Sequence, residues 1–169
     1  MRQISAEIGE FSAAADPALI HSGPIALGMG ICYEIIYPGL SRREVAAGAN
    51  LLATISNDSW YGRAGAQDQH FAGAVFRSVD NSRYLLRAAI TGVSGIVDPR
   101  GRIIALASAD RRTTVFGAVQ LRDERTAWSR WGFWIPRVSD VFAAAVLVLG
   151  LVRLCRQRRA ERRQPTVFP

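Results

Sequence analysis

The sequence predicts an α/β fold followed by one apolar helix, and three observations carry that prediction. Between Pro24 and Ala107, apolar segments of strand length alternate with segments of helical spacing, the pattern of a largely parallel sheet covered by helices. The length of 169 residues is about one domain's worth of chain. Val141 to Val152 reads VFAAAVLVLGLV, an unbroken apolar run with a dense arginine block directly behind it.

In chain order, Pro24–Cys32 (PIALGMGIC) reads as a buried strand. PGLSRREVAAGA reads as a helix, with Pro38 in its first turn and Gly48 near its end. NLLATIS is the next strand and runs into the loop NDSWYGRAGA. From Gln67 to Ala89 the spacing is helical, with Phe71, Val75, Val79 and Leu86 on one face, and Arg77, Arg83 and Arg87 along the same helix as a solvated or ion-paired face. TGVSGIVDPRGRIIALA forms a hairpin around Asp98-Pro99-Arg100-Gly101, and TTVFGAVQL, from Thr113, is the last strand. There are no internal repeats.

Apolar residues make up 49% and charged residues 21%, which is ordinary for a folded protein and argues against disorder or a polytopic membrane protein. The net charge of +7 comes from arginine alone, since the chain contains no lysine, and much of the excess lies in RLCRQRRAERR. Cys32 and Cys155 sit in unlike contexts, so no disulfide framework is expected. His21 and His70 are isolated from any second ligand at metal-binding spacing, so no metal and no cofactor are expected. The first twenty residues lack the basic, apolar and small-residue regions of a signal peptide.

The C-terminal run is close to the ~20 residues of a membrane helix when counted from Trp131. A run this short is more often a buried core helix, but Trp128, Trp131, Phe133 and Trp134 cluster before it as aromatic residues do at a bilayer interface. The arginine block behind it carries no interleaved aromatics, so it reads as a cytoplasmic anchor and not as a nucleic-acid site. The expected organisation is a body over residues 1–127, an aromatic segment and transmembrane helix over 128–154, and a basic cytoplasmic tail over 155–169.

GMGICYEIIYP places Cys32 where a strand ends and a helix begins, as in a nucleophile elbow. There a sharp turn would expose the sulfur and aim the Tyr33 amide at an oxyanion. A free cysteine is as readily a small buried hydrophobe, and on spacing alone the two readings are about even.

GICYEIIYP, LLATISNDSWYG, QHF and RSVDNSRYLLRAAITGVSGIVDPRG together resemble the second half of the catalytic domain of the apolipoprotein N-acyltransferases, a membrane branch of the nitrilase superfamily. The resemblance implies the C-terminal half of a nitrilase-like α-β-β-α sandwich followed by one transmembrane helix. It also implies transfer of an acyl chain from a phospholipid to the diacylglyceryl-modified N-terminal cysteine of a lipoprotein, through a cysteine thioester. Matched to the family motif, Cys32 is the nucleophile, the Tyr33 amide contributes to the oxyanion hole, and Glu34 is a carboxylate that orders the site, with a structural ion pair to an arginine as the alternative. In SNDSWYG, Asn57 and Asp58 hold the turn through their own backbone, while Trp60 and Tyr61 form either an apolar wall beside the thiol or, for Trp60, a cap on the core.

The departures are as informative. The superfamily's glutamate base and its lysine precede the cysteine; no lysine exists here, and Glu7 and Glu10 lack the flanking motif of the base. Ile90 stands where the family usually has asparagine before Thr-Gly. These departures predict the C-terminal part of a longer enzyme, either a truncated sequence or a split gene whose separate N-terminal half supplies the base and the lysine, in a bacterial inner membrane with its catalytic part on the periplasmic side, and inactive alone. A soluble nitrilase-type amidase and an inactive membrane-anchored module are the competing readings.

Overall fold

A computed structural model describes residues 15–62, 65–109 and 111–161. Glu7, Glu10 and the end of the basic tail therefore lie outside the described residues. The chain divides into two compact units, one ending at Arg130 and one beginning at Trp131.

The first unit is built on a six-stranded sheet whose spatial order follows the chain: β1 (Ile20–Ser22), β2 (Ile25–Ile31), β3 (Leu51–Asn57), β4 (Leu85–Ile90), β5 (Ser94–Val97) and β6 (Ile103–Ala107). The expectation of a largely parallel sheet needs correction. Only β2–β3 and β3–β4 are parallel; β1 and the β5–β6 hairpin pair antiparallel at either side. Parallel pairing follows from the two long connections, each of which carries a helix, whereas three short turns force antiparallel neighbours.

The first connection holds a 3₁₀ turn (Cys32–Ile36) and helix α1 (Pro38–Ala46). Pro38 occupies the first turn, where a missing N–H costs nothing, and Gly48 leaves the helix at φ 111°. The second connection holds a 3₁₀ turn (Ser59–Tyr61) and helix α2 (Ala66–Asn81). Both helices pack on one face of the sheet and on each other. Ile35, Val45, Ala49, Leu52, Phe71, Ala74, Leu85 and Val97 fill the space between them.

The helix expected over Gln67–Ala89 stops eight residues early. Ser82 adopts a left-handed conformation, φ 52°, and its amide closes the last turn on Ser78 and Val79, after which Leu85–Ile90 is a strand. Leu, Arg and Ala favour helices, so local propensity misleads here; pairing on both edges, with β3 and with β5, decides the matter. Of the residues expected on one helical face, Phe71 is buried and Val75 packs against the core, Val79 is exposed, and Leu86 belongs to β4.

The turn at Asp98–Gly101 forms as expected: Asp98 Oδ1 accepts the amides of Arg100 and Arg102 at 2.8 and 2.9 Å. Thr113–Leu121, expected as a strand, has no regular structure. Residues 113–117 and Val119 border a cavity of about 480 Å³ with Ala53, Ile55, Ala88 and Ile96, so this segment runs over the face of the sheet, where no ladder can pair with it.

Buried Arg83, expected on a helix face, lies between α2 and β4 and donates to the carbonyls of Ala49, Asn81, Ser82 and Glu124. Its fork thereby ties the residues preceding α3 (Ala127–Trp131) to the strand ends. The face of the sheet opposite α1 and α2 is apolar and uncovered at Ile31, Ile55 and Ile90. One sheet and one helix layer are present among the described residues.

The second unit is a helix, α4 (Trp134–Glu161), of 28 residues. Pro136–Arg156 within it forms a 21-residue segment of mean hydropathy 2.1 that is long and apolar enough to cross a membrane, and none of it is buried. At its start the Trp131 and Trp134 rings meet edge to face at 6.2 Å.

Candidate active site

β2 ends at Ile31, and the chain turns at Cys32 with φ 53°, a left-handed conformation that a side chain with a Cβ adopts only at some cost. This is the elbow the sequence suggests. The turn sends three consecutive side chains to three different places. Cys32 opens into a shallow apolar depression of about 600 Å³ whose other walls include Ile31, Ile55, Asn57, Trp60, Ala88 and Ile90. Tyr33 lies with Tyr61 and His70 at a second, smaller cavity. Glu34 borders a third, with Asp16, Ser41 and Glu44.

Each residue has a stated local cause. The Glu34 carboxylate reaches back to accept the Ile31 amide at 2.8 Å, which closes the turn that carries Cys32. No arginine pairs with Glu34 among the described residues. The Tyr33 amide is in the first turn of the 3₁₀ segment, where N–H groups lack intrahelical partners. Asn57 accepts the Ser59 amide at 3.2 Å and so holds the following turn, as expected. Trp60 is 86% exposed, which excludes the core-cap reading; its ring borders the Cys32 depression. Tyr61 turns away from that depression and stacks edge-on against His70 at 5.5 Å.

Asp58 does not hold the turn through its own side chain. Its carboxylate points inward, fully buried, and gathers Ser56 Oγ at 2.5 Å, His70 Nδ1 at 3.0 Å and Arg87 Nη2 at 2.7 Å. His70 Nε2 meets the Cys32 carbonyl oxygen at 3.1 Å, and Ser56 Oγ lies 3.5 Å from Cys32 Sγ. Gly92 permits this packing, because a β-carbon there would overlap the Asp58 carboxylate. Arg77, the third arginine expected on a solvated or ion-paired face, is likewise buried; it pairs with Asp80 at 2.8 Å and donates to the Ile36 carbonyl at 3.0 Å, securing the end of the 3₁₀ turn.

Sequence reasoning missed Ser56, Asp58, His70 and Arg87 as one group. They come from β3, the loop after it, α2 and β4, and no spacing links them. A signal existed for Arg87 alone: in a strand it alternates with Leu85 on the inward side, so an arginine there needs a buried partner.

Burial opposes ionisation of Asp58, but the Ser56, Arg87 and His70 contacts outweigh it and hold its pKa below the usual carboxylate value. Asp98 is likewise held low: burial opposes ionisation, and hydrogen bonds from Arg102 and Arg100 overcome it. Glu44 behaves oppositely. Burial raises it from 4.5 to about 7, the Met29 backbone bond opposes this, and the Glu34 charge adds to the rise.

The consequence for stability has two limbs. Lowered carboxylates stabilise the folded chain above the unfolded pKa of 3.8, and that contribution disappears as pH falls through their folded values. A raised carboxylate binds its proton in the folded state while the unfolded chain has lost it, so Glu44 makes stability decline as pH rises from 4.5 to about 7. Denaturant titrations of wild type and Glu44→Gln across pH 3–8 check this (range chosen to bracket those values). The variant should keep the acid limb and lose the decline; an unchanged decline would refute the assignment to Glu44.

Comparison with known proteins now places the chain. Residues 6–128 match the carbon-nitrogen hydrolase family. The chain belongs to that family. Among curated relatives, the apolipoprotein N-acyltransferase of Geobacter metallireducens is 39% identical over 86% of this chain and 26% of its own length. That of Azotobacter vinelandii is 34% identical over 89% of this chain and 28% of its own length. The chain thus spans little more than a quarter of either relative. Among solved structures, the carbon-nitrogen hydrolase from Helicobacter pylori G27 superposes with TM-score 0.51 at 19% identity, covering 58% of this chain and 41% of that one. The NitN amidase from Neterenkonia sp. AN1 gives 0.50 at 21% identity, covering 67% and 45%. These likenesses establish the carbon-nitrogen hydrolase fold in the first unit.

Proposed function

We propose that the chain supplies the nucleophile-bearing part of an N-acyltransferase that modifies lipoproteins at a membrane. The observation that carries this reading is the placement of Cys32: an elbow cysteine facing an apolar depression walled by Ile31, Ile55, Trp60 and Ile90. A hydrolase of small polar amides has no use for such a wall, whereas an acyl chain loses water-exposed apolar surface on entering it. The asparagine-to-isoleucine change at Ile90, 67% exposed, extends the same apolar surface.

In the first step, Cys32 Sγ, as thiolate, attacks the ester carbonyl of a phospholipid. Negative charge gathers on the carbonyl oxygen, which the Tyr33 amide is placed to receive. The C–O bond then breaks, the lysophospholipid leaves as the alcohol after taking up a proton, and the acyl group remains as a thioester on Cys32. In the second step, the α-amine of a diacylglyceryl-cysteine attacks the thioester, an amide forms and the thiol is released. Glu34 keeps the elbow closed through the Ile31 amide, and Asn57 and Trp60 border the acyl site while Tyr61 buttresses the elbow from behind.

The family's lysine has no counterpart in these residues and its base is not identifiable in them, so the preceding part of the enzyme, on the same or another chain, would have to provide both. The apolar segment of α4 would anchor the assembly in the bacterial inner membrane, with the body on the periplasmic side and the arginines in the cytoplasm.

The test is intact-mass analysis of the reconstituted chain with phospholipid, alone and with a candidate N-terminal half, for wild type and Cys32→Ser. A hydroxylamine-labile acyl adduct that needs Cys32 and both halves supports the reading. No adduct with both halves folded refutes it and leaves an inactive anchored module.

A further inference from the structure

The buried side chains behind Cys32 take no part in the two steps above, yet they reach that residue at two separate atoms. One branch runs from Asp58 through His70 to the Cys32 carbonyl; the other runs from Asp58 through Ser56 to Cys32 Sγ. Arg87 holds Asp58 from the far side with a fully buried ion pair. Their burial is nearly complete, His70 at 4% and Arg87 at 3% exposure. Sequestering four polar groups from water costs several kcal/mol unless each is paired, and here they pair with one another and with Cys32, with Arg87 Nη1 alone among their buried nitrogens and oxygens left without a partner within the described residues.

We propose that Ser56, Asp58 and His70 form a positioning relay that sets the main-chain conformation and the sulfur direction of Cys32. A left-handed residue with a side chain persists only where its surroundings impose it. His70 imposes it through the Cys32 carbonyl: a bond to that oxygen requires a proton on Nε2, and Arg87 Nη2, held by Asp58 and 3.2 Å from Nδ1, donates to the other ring nitrogen and so aims the ring. Releasing the carbonyl frees the peptide to rotate and carries Sγ and the Tyr33 amide away from a shared target.

Ser56 acts on the sulfur itself. Its single hydroxyl proton goes to Asp58, so its oxygen presents a lone pair to the thiol and accepts the S–H. Once the sulfur is a thiolate, the hydroxyl can turn to donate to it, and Asp58 keeps Arg87 as its partner. Core packing alone predicts something different, since an apolar side chain of similar size in place of His70 would then serve equally well.

The inference rests on the acyl-transfer reading only for the identity of the acyl donor, and its test does not use that donor. The alkylation rate of Cys32 by iodoacetamide is measured on the full chain in detergent micelles, in a Cys155→Ala background because Cys155 is exposed. His70→Leu should slow alkylation by about tenfold or more, as expected when a reacting atom is misplaced. His70→Gln, whose amide can still donate to the Cys32 carbonyl, should recover most of the rate, and Ser56→Ala should slow it severalfold. Wild-type rates in His70→Leu and Ser56→Ala, or equal slowing by Leu and Gln at position 70, would overturn the relay. If circular dichroism shows that His70→Leu does not fold, the rate of Ser56→Ala decides alone.

The phospholipid adduct is followed in parallel on the wild-type chain with its candidate N-terminal half. No adduct, with alkylation still dependent on His70 and Ser56, refutes the acyltransferase reading and leaves the relay. An adduct with alkylation indifferent to both residues refutes the relay alone.

Discussion

Arg87→Met should destabilise the first unit by about 3–5 kcal/mol, the largest loss expected from any single substitution in it. The ion pair with Asp58 is fully buried on both sides at 2.7 Å, so removing the guanidinium leaves a carboxylate without water or a full countercharge. Ser56 and His70 soften the loss but cannot neutralise the charge. The measurement is urea unfolding of the full chain in micelles, followed by near-ultraviolet circular dichroism. Asp58→Asn should also destabilise, and the double variant should lose less than the sum of the two, because the second substitution removes the charge that the first stranded. Additive losses would show that the two groups act independently.

Leu85→Ala should cost about 2–5 kcal/mol by the same measurement. Leu85 is fully buried at the start of β4, paired with Leu52 and Val97 on its two neighbouring strands, and it belongs to the core beneath α2. Its removal leaves a cavity among residues on three strands that cannot collapse independently. The neighbouring Leu86 points to the opposite face, so Leu86→Ala should cost distinctly less. A larger loss at Leu86 would mean that β4 is assigned one residue out of register.

That contrast marks where sequence reading succeeded and failed. β2 and β3 were legible as apolar runs and the helix at Pro38 and the hairpin at Asp98–Gly101 because proline, glycine and aspartate fix local backbone geometry, whereas β1 was not anticipated. β4 was not, because SRYLLRAAI carries helix-forming residues and becomes a strand only through pairing on both edges. The error had a cost in the site. Reading Arg87 as a helix residue gave it a solvated or ion-paired face; as a strand residue it is ion-paired, but buried and with Asp58 from another strand's end. Asp58 likewise looked like a turn residue beside Asn57, and its neighbour does play that part.

Cys32, Tyr33 and Glu34 could be singled out from the sequence because a motif is contiguous, and the chain's order alone puts a cysteine where a strand ends. The missing lysine, the apolar helix and its arginine flank are also properties of composition and order, so the sequence by itself determined them. Tertiary structure alone decided that three adjacent side chains face three different cavities, that Trp60 and Tyr61 part company, and that His70 reaches the Cys32 carbonyl. The physical reason is separation along the chain. His70 follows Cys32 by 38 positions, and their meeting depends on two parallel strand pairings and a helix packed across them, which no local pattern encodes.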